Sequence, residues 1–361
     1  MAHIGYGNPA AGRDLNDLIL IYSSDAGPDA DNAAGKGGSE ALRYIGLVHY
    51  SHLSYMAAIS VIICSHNPRQ EFMRRTLDGL KAQTLSARDW DLLLVDNLSE
   101  QPLAERFDLS WHPSARHVRE EKLGTAHARF RGISETKSDL LVFADDDNVL
   151  RSDYLQTCLK ISANYPWLGS WGCSFIPEFE AEPPDELRPW LHGLMIEKLT
   201  VAIWAKTQIP TEAVPPGAGM AVRRNVAERY QELVRSDPAR LMLDRRGKEL
   251  TSCGDHDLAM AGFDLGLGTG RFPELELTHL ISARRLTLDY LERLHEGFGY
   301  SGIMFRKILK IDTCQDVRRV NRWEILAQGL FMILSGKSRT ERRLRVAEKR
   351  GQLRAYQELN Q

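Results

Sequence analysis

The feature that limits this chain most is a set of aliphatic runs of strand length that end in polar residues: ISVIICSHN at 59–67, DLLLVDN at 91–97 and DLLVFADDDN at 139–148. Between them lie FMRRTLDGLKAQTL, with Phe72, Leu77, Leu80 and Leu85 at helical spacing, and a second helical stretch at 125–136. Strands with no polar face, alternating with helices, predict an α/β fold whose mostly parallel sheet is covered on both sides. In such a sheet ligands bind beyond the carboxyl ends of the strands. Those ends carry Ser65, His66 and Asn67, then Asp96 and Asn97, then Asp145, Asp146 and Asp147.

Three adjacent carboxylates repel one another unless a cation or hydrogen-bond donors compensate them. A divalent metal is the simplest compensation, and all-oxygen ligands favour Mg²⁺ or Mn²⁺, which share their coordination with phosphate oxygens of a substrate. A solvated acidic turn or a helix cap is the plainer alternative for the triplet alone. Its place at a strand end beside Asp96 and residues 65–67 favours a diphosphate ligand.

SVIICSHN, LLLVDN, GTAHARFRGI and FADDDN, in that order over residues 59–150, resemble the family 2 glycosyltransferases of GT-A fold. The resemblance implies that Ser65, Asn67 and Asp96 contact the base and ribose of a nucleotide donor. It makes the acidic triplet a DxD element, with Asp145 towards the ribose and metal and Asp147 on the metal itself. SCGDHDLAM looks like the acceptor-side acidic motif, with Asp255 as the general base, although Gly254 stands where many members carry Glu. A base is needed because an alcohol attacks an anomeric carbon poorly until its proton leaves. Asp257 is expected to be structural. By the same resemblance PPGAGMAVRR is an acceptor-side loop and His279 completes the metal shell, a buried structural histidine being the alternative. Arg284 and Arg285 are candidates to neutralise the departing diphosphate. Trp167, Trp171, Trp190 and Trp204 are expected in the core more than against a sugar. No chemistry is assigned to His66, His127 or Arg129, the last being a candidate brace for the acidic loop.

The function implied is a metal-dependent transfer of a sugar from a nucleotide-diphosphate sugar to a glycan, lipid-linked or small-molecule hydroxyl, with inversion. A sugar-phosphate nucleotidyltransferase would carry a glycine-rich basic loop after its first strand, and CSHNPRQEF has no glycine. A nucleotide-binding module without turnover is the other alternative, disfavoured by the joint presence of the triplet and Asp255.

With 43% hydrophobic and 26% charged residues, 361 residues are enough for a large core and exclude wholesale disorder. A net charge of -2 gives no whole-chain case for nucleic-acid binding. That total conceals residues 318–354, where eleven basic residues face three glutamates for a net +8. The apolar ILAQGLFMIL within that segment suggests peripheral contact with an anionic membrane, and a helix packed on the body is the alternative. Neither this stretch nor LILIY near the start reaches the roughly 20 residues that span a bilayer, and no secretory signal precedes them. Five scattered cysteines without a CxxC pair fit reduced thiols and a cytoplasmic location. The expected organisation is a weakly structured extension at 1–55, a GT-A domain at 56–285 and a helical basic segment at 286–361. Within the domain, 57–150 form the nucleotide half and 151–285 the acceptor half. The composition shift at Met56 suggests that the native product begins there.

Overall fold

The structure is a computed structural model that describes residues 57–206, 212–245, 250–310 and 337–359. The chain divides into units at 1–53 and 54–361, and the described residues belong to the second. The expectations for 1–55, for a start at Met56 and for ILAQGLFMIL lie outside the described residues.

The aliphatic runs form strands that lie side by side. Strand β1 (Ile59–Ser65) pairs in parallel with β2 (Trp90–Asp96) from Ile59 and Trp90 through to Ser65 and Asp96, and on its other edge with β4 (Leu140–Ala144). Strand β3 (Ala115–Arg119), which the sequence does not announce, extends the parallel part beyond β2. Alternate residues point to opposite faces, as the period of two requires. Val61, Ile63, Leu92, Leu94 and Val142 join one core, with Met73, Leu77 and Leu80 of α1 (Gln70–Lys81). Ile62, Leu93, Leu141 and Phe143 join the other, with Ala128 and Ile133 of α3 (Thr125–Glu135). Both faces are dry, which is why these strands are apolar throughout. In α1 the core position is Met73 and not Phe72, which is half-buried beneath the Arg69 guanidinium. The helix stops at Lys81, so Leu85 reaches the core from the following loop.

The third run breaks where its carboxylates begin. After β4 the triplet turns, and a short β5 (Asn148–Leu150) follows. Beyond α4 (Tyr154–Asn164) the second half adds its strands to the same sheet: β6 (Leu168–Phe179), β7 (Ile203–Ala205), β8 (Ala221–Arg223) and β9 (Gly268–Ile281). The order is β3-β2-β1-β4-β8-β6-β9-β5, with β7 on β9. Strand β8 enters antiparallel to β4, while β6 and β9 pair in parallel along most of their length. Helix α2 (Leu103–Arg106) follows β2, α5 (Arg224–Ser236) follows β8, and α6 (Gly254–Met260) precedes β9. The pairing that matters most for the site is antiparallel β5 on β9, which sets Asn148 opposite His279. A residue 131 positions away is thereby brought to the acidic turn. Among the tryptophans, Trp171 is wholly buried, Trp167 and Trp190 are half-buried, and Trp204 is 58% exposed.

After β9 the chain makes a short 3₁₀ turn at Ala283–Arg285 and enters α7 (Leu288–Ile308), capped by the Thr287 hydroxyl accepting from the Tyr290 N–H. Helix α8 (Arg339–Leu359) lies along α7. Its arginines are largely engaged: Arg343 with Asp289 and Glu292, Arg350 with Glu296, and Arg354 over the Tyr300 ring. For α8 the packed-helix alternative describes the arrangement. No helix among the described residues is long and apolar enough to cross a membrane.

The α7–α8 contact is close because two glycines face each other's backbones. A Cβ on Gly299 would run into the Glu348 carbonyl oxygen, and one on Gly351 into that of Glu296. Backbone cannot yield as a flexible side-chain tip can. Gly351→Leu is therefore expected to cost about 3 kcal/mol as an overpacked contact, read as a lowered melting temperature by circular dichroism. An unchanged melting temperature would show that the seam is not tight.

Candidate active site

At the carboxyl ends of β1 and β2 the polar side chains mostly bind neighbouring loops. Asp96 is 4% exposed and accepts from the Ser99 N–H at 2.8 Å, the Leu103 N–H at 3.2 Å and Arg119 Nη1 at 2.8 Å. Burial pushes its carboxyl up, but Ser99, Leu103 and Arg119 outweigh it and hold the group below the usual range. Asn67 sits at φ 51°. Its N–H donates to Ser99 Oγ at 3.0 Å, and its side-chain oxygen accepts from the Glu100 N–H at 2.9 Å. Asn97 spans from Lys122 O at 2.7 Å to the Gly124 N–H at 2.9 Å. These residues fix a rim at 97–103 and tie it to residues 122–124. Ser65 instead reaches across to the triplet, donating its hydroxyl to Asp146 Oδ2.

The triplet shows the repulsion its sequence implies. Asp146 is pushed up to about 7 by burial and by the Asp147 carboxylate, with Ser65 opposing. Asp145 is exposed, and its carboxyl is likewise raised, by desolvation and then by Asp147. Asp147 goes the other way: burial raises it, but the Arg285 guanidinium against it helps to hold it below its ordinary value. Arg285 Nη1 lies 3.1 Å from Asp147 Oδ2 and 3.1 Å from His279 Nε2, and those two atoms are 3.6 Å apart. The other imidazole nitrogen, Nδ1, is 3.2 Å from the Met195 carbonyl oxygen and donates to it, which leaves Nε2 to accept. A carboxylate oxygen and an imidazole lone pair therefore converge on one cationic nitrogen. Arg285 keeps its Nε buried without a partner. Arg284, its neighbour, is exposed.

A divalent cation fits this donor set as an open site. Among the described residues no group of three or more ligating side chains gathers around one point. Asp147 and His279 offer one oxygen and one nitrogen, and phosphate oxygens and water would supply the remainder, as Mg²⁺ and Mn²⁺ usually require. The Nδ1 hydrogen bond to Met195 orients the imidazole as outer partners of metal-binding histidines do.

The acceptor-side residues lie on α6, which packs on β6 and β9, and on the loop that leads into β8. Helix α6 begins after Cys253, whose φ of 144° turns the chain sharply. Asp255, half-buried, accepts from the Gly217 N–H at 2.7 Å and from the His256 N–H at 2.9 Å. Burial raises its carboxyl, but the charges of His256 and Arg129 and these two N–H groups leave it below its ordinary value. Asp257 faces away, 1% exposed and paired with Arg240. The PPGAG loop supplies the close approach: a Cβ on Gly217 would lie 2.6 Å from Arg129 Nη2 and 3.0 Å from Asp255 Cβ.

The structure thus gathers Ser65, Asp145, Asp146, Asp147, His279 and Arg285 at one end of the sheet. It sets Asp255 beside Arg129, whose charge acts on Asp145 as well as on Asp255. Asn67 and Asp96 serve the rim through the bonds above. The residue that sequence reasoning passed over is Asp244. Both its carboxylate oxygens lie 3.1 Å from Arg129 Nη1, and both partners are buried. Its local sequence, LMLDRRGKEL, contains no motif that would have marked it.

Residues 60–229 match the sequence family described as Glycosyl transferase family 2. Among solved structures the chain is similar to S. aureus TarS. Residues 1–349 of that protein align at 10% identity with a TM-score of 0.42, covering 83% of this chain and 91% of that chain. A second TarS structure aligns at 13% identity and a TM-score of 0.44, covering 82% of this chain and 55% of that one. No curated protein sequence matches.

Proposed function

From the membership of residues 60–229 in glycosyl transferase family 2 and the GT-A sheet they help to form, we infer that this protein moves a sugar from a nucleoside-diphosphate sugar to an acceptor hydroxyl with the help of a divalent cation. The observation that carries the cation and the diphosphate is the convergence of Asp147 and His279 on Arg285, whose Nε still lacks a partner. Asp147 and His279 would hold the cation, and Arg285, which lies against both, would donate to the diphosphate oxygens. Bound there, the cation supplies positive charge to the departing diphosphate. Ser65 and Asp145 face the nucleotide, while Asn67 and Asp96 shape its pocket by fixing residues 97–103. Asp255 takes the acceptor proton as the hydroxyl oxygen bonds to the anomeric carbon. The bond from that carbon to the diphosphate breaks, and its electron pair leaves with the phosphate oxygen. A single displacement of this kind inverts the anomeric centre.

The nucleotidyltransferase alternative gains nothing from the loop after β1: Arg69, its one basic residue, is paired with Glu180. The test is a thermal-shift screen of UDP, GDP, CDP and dTDP, with and without Mn²⁺. At least one nucleotide is expected to raise the melting temperature only when Mn²⁺ is present. No Mn²⁺-dependent shift with any of the four would overturn the metal-dependent reading.

A further inference from the structure

Gly254 opens α6, yet its backbone does not need glycine. The described glycines with positive φ are Gly124, Gly219 and Gly266. What requires a missing side chain at 254 is Asp244: a Cβ there would lie 2.6 Å from each of the Asp244 carboxylate oxygens. A carboxylate carried by a different segment fills the space in which residue 254 would otherwise project. Asp244 is pinned in that position by its backbone, since Thr251 Oγ1 donates to its carbonyl oxygen at 2.6 Å.

The Asp244 carboxylate occupies Arg129, and Arg129 in turn abuts Gly217, the residue whose N–H holds Asp255. A buried guanidinium one glycine away from a carboxylate is a strong competitor for it. Nevertheless Arg129 makes its ion pair with Asp244, and among the described residues it makes none with Asp255. Asp255 is left with two backbone N–H donors and no pairing cation. A carboxylate locked in a bidentate arginine pair would be a poor proton acceptor, because the pair stabilises its charged form. We propose that Asp244 is a positioning residue: by clamping Arg129 it keeps that guanidinium off Asp255 and leaves the Asp255 carboxylate available as the base. The inference rests on reading Asp255 as the general base. The other charged or titratable groups around Asp255 are His256, Asp257 and Cys253 on its own turn, with Asp145 and Tyr230 around Arg129.

The test is a double-mutant cycle on the full-length protein without ligand, at neutral pH, so that its outcome is independent of the nucleotide screen. In the parent, Asp255→Asn costs one backbone N–H bond and the through-space attraction of His256 and Arg129, with no direct ion pair to lose. In an Asp244→Ala background Arg129 is free to pair with Asp255, so the same change should lower the melting temperature by about a further 5 °C. Adding Gly254→Asp returns a carboxylate to the vacated space from the first turn of α6, where an acidic residue suits the helix. That variant is expected to restore both the melting temperature and the small parental effect of Asp255→Asn. Where Asp244→Ala gives no folded protein, Asp244→Asn removes the charge while keeping the volume, and the effect of Asp255→Asn is compared in that background without Gly254→Asp, for which the retained side chain leaves no room. Equal effects of Asp255→Asn in both backgrounds, or no restoration by Gly254→Asp, would overturn the proposal.

Discussion

An Asp255→Asn protein should transfer sugar about a thousandfold more slowly than the parent, the scale that a positioned general base contributes, while still binding nucleotide and Mn²⁺. The two losses separate because Asp255 sits on the acceptor side. Its hydrogen-bond partners are the Gly217 and His256 N–H groups, not a member of the triplet. The substitution keeps the shape and removes the proton acceptor. It also leaves an amide NH₂ against one of the two N–H donors, so a small loss of stability accompanies the loss of rate. The check is to measure turnover and the nucleotide-induced thermal shift on the same preparation. Parental turnover would remove Asp255 as the base, and a lost thermal shift with lost turnover would place it at the donor instead.

The second large effect belongs to Asp147. Asp147→Asn removes the carboxylate that Arg285 helps to hold in its charged form. It is expected to abolish the Mn²⁺-dependent part of the nucleotide shift and to slow transfer by about a hundredfold or more, since charge stabilisation at the departing group is usually a leading contribution. Arg285→Ala makes a sharper contrast. With its nitrogen gone from between Asp147 and His279, Mn²⁺ meets no resident cation, and binding of the metal alone should tighten. Turnover should nonetheless fall, because the diphosphate loses a donor. Electron paramagnetic resonance of free Mn²⁺ measures the binding without any reaction. Weaker Mn²⁺ binding by Arg285→Ala than by the parent would show that Arg285 supports the metal and does not compete with it.

What could be read from the sequence follows a physical line. Strands β1, β2 and β4 are buried on both faces, so their side chains are aliphatic throughout and the runs announce themselves. Strand β3 is an edge strand, ARHVR, and its half-exposed residues carry no such signal. The triplet, Asp255 and His279 were visible because chemistry concentrates rare residue patterns in short segments. That His279 meets Asp147 depends on the pairing of β5 with β9, which no local pattern encodes. Arg129 was visible within a motif only as a candidate brace for the acidic loop, because its partner Asp244 lies 115 residues further along. Gly254 looked like a departure from the pattern. In three dimensions it is the accommodation of a carboxylate that arrives from elsewhere. Pairwise contacts between distant segments are what the sequence alone withholds.

The glycine seam between α7 and α8 bears on how this protein can vary over time. Arg285 lies in the turn just ahead of α7, so whatever seats α7 also seats the guanidinium beside Asp147 and His279. Inserting or deleting one residue within α8 would rotate everything beyond it by about 100°, carrying Gly351 away from the Glu296 carbonyl that leaves no room for a side chain. Natural relatives should therefore differ in α8 by substitutions on its outer face and hardly ever by changes in its length. A laboratory truncation before residue 337 would take Arg343 away from Asp289 and Glu292 in the first turns of α7, and should therefore be felt at Arg285 just ahead of them.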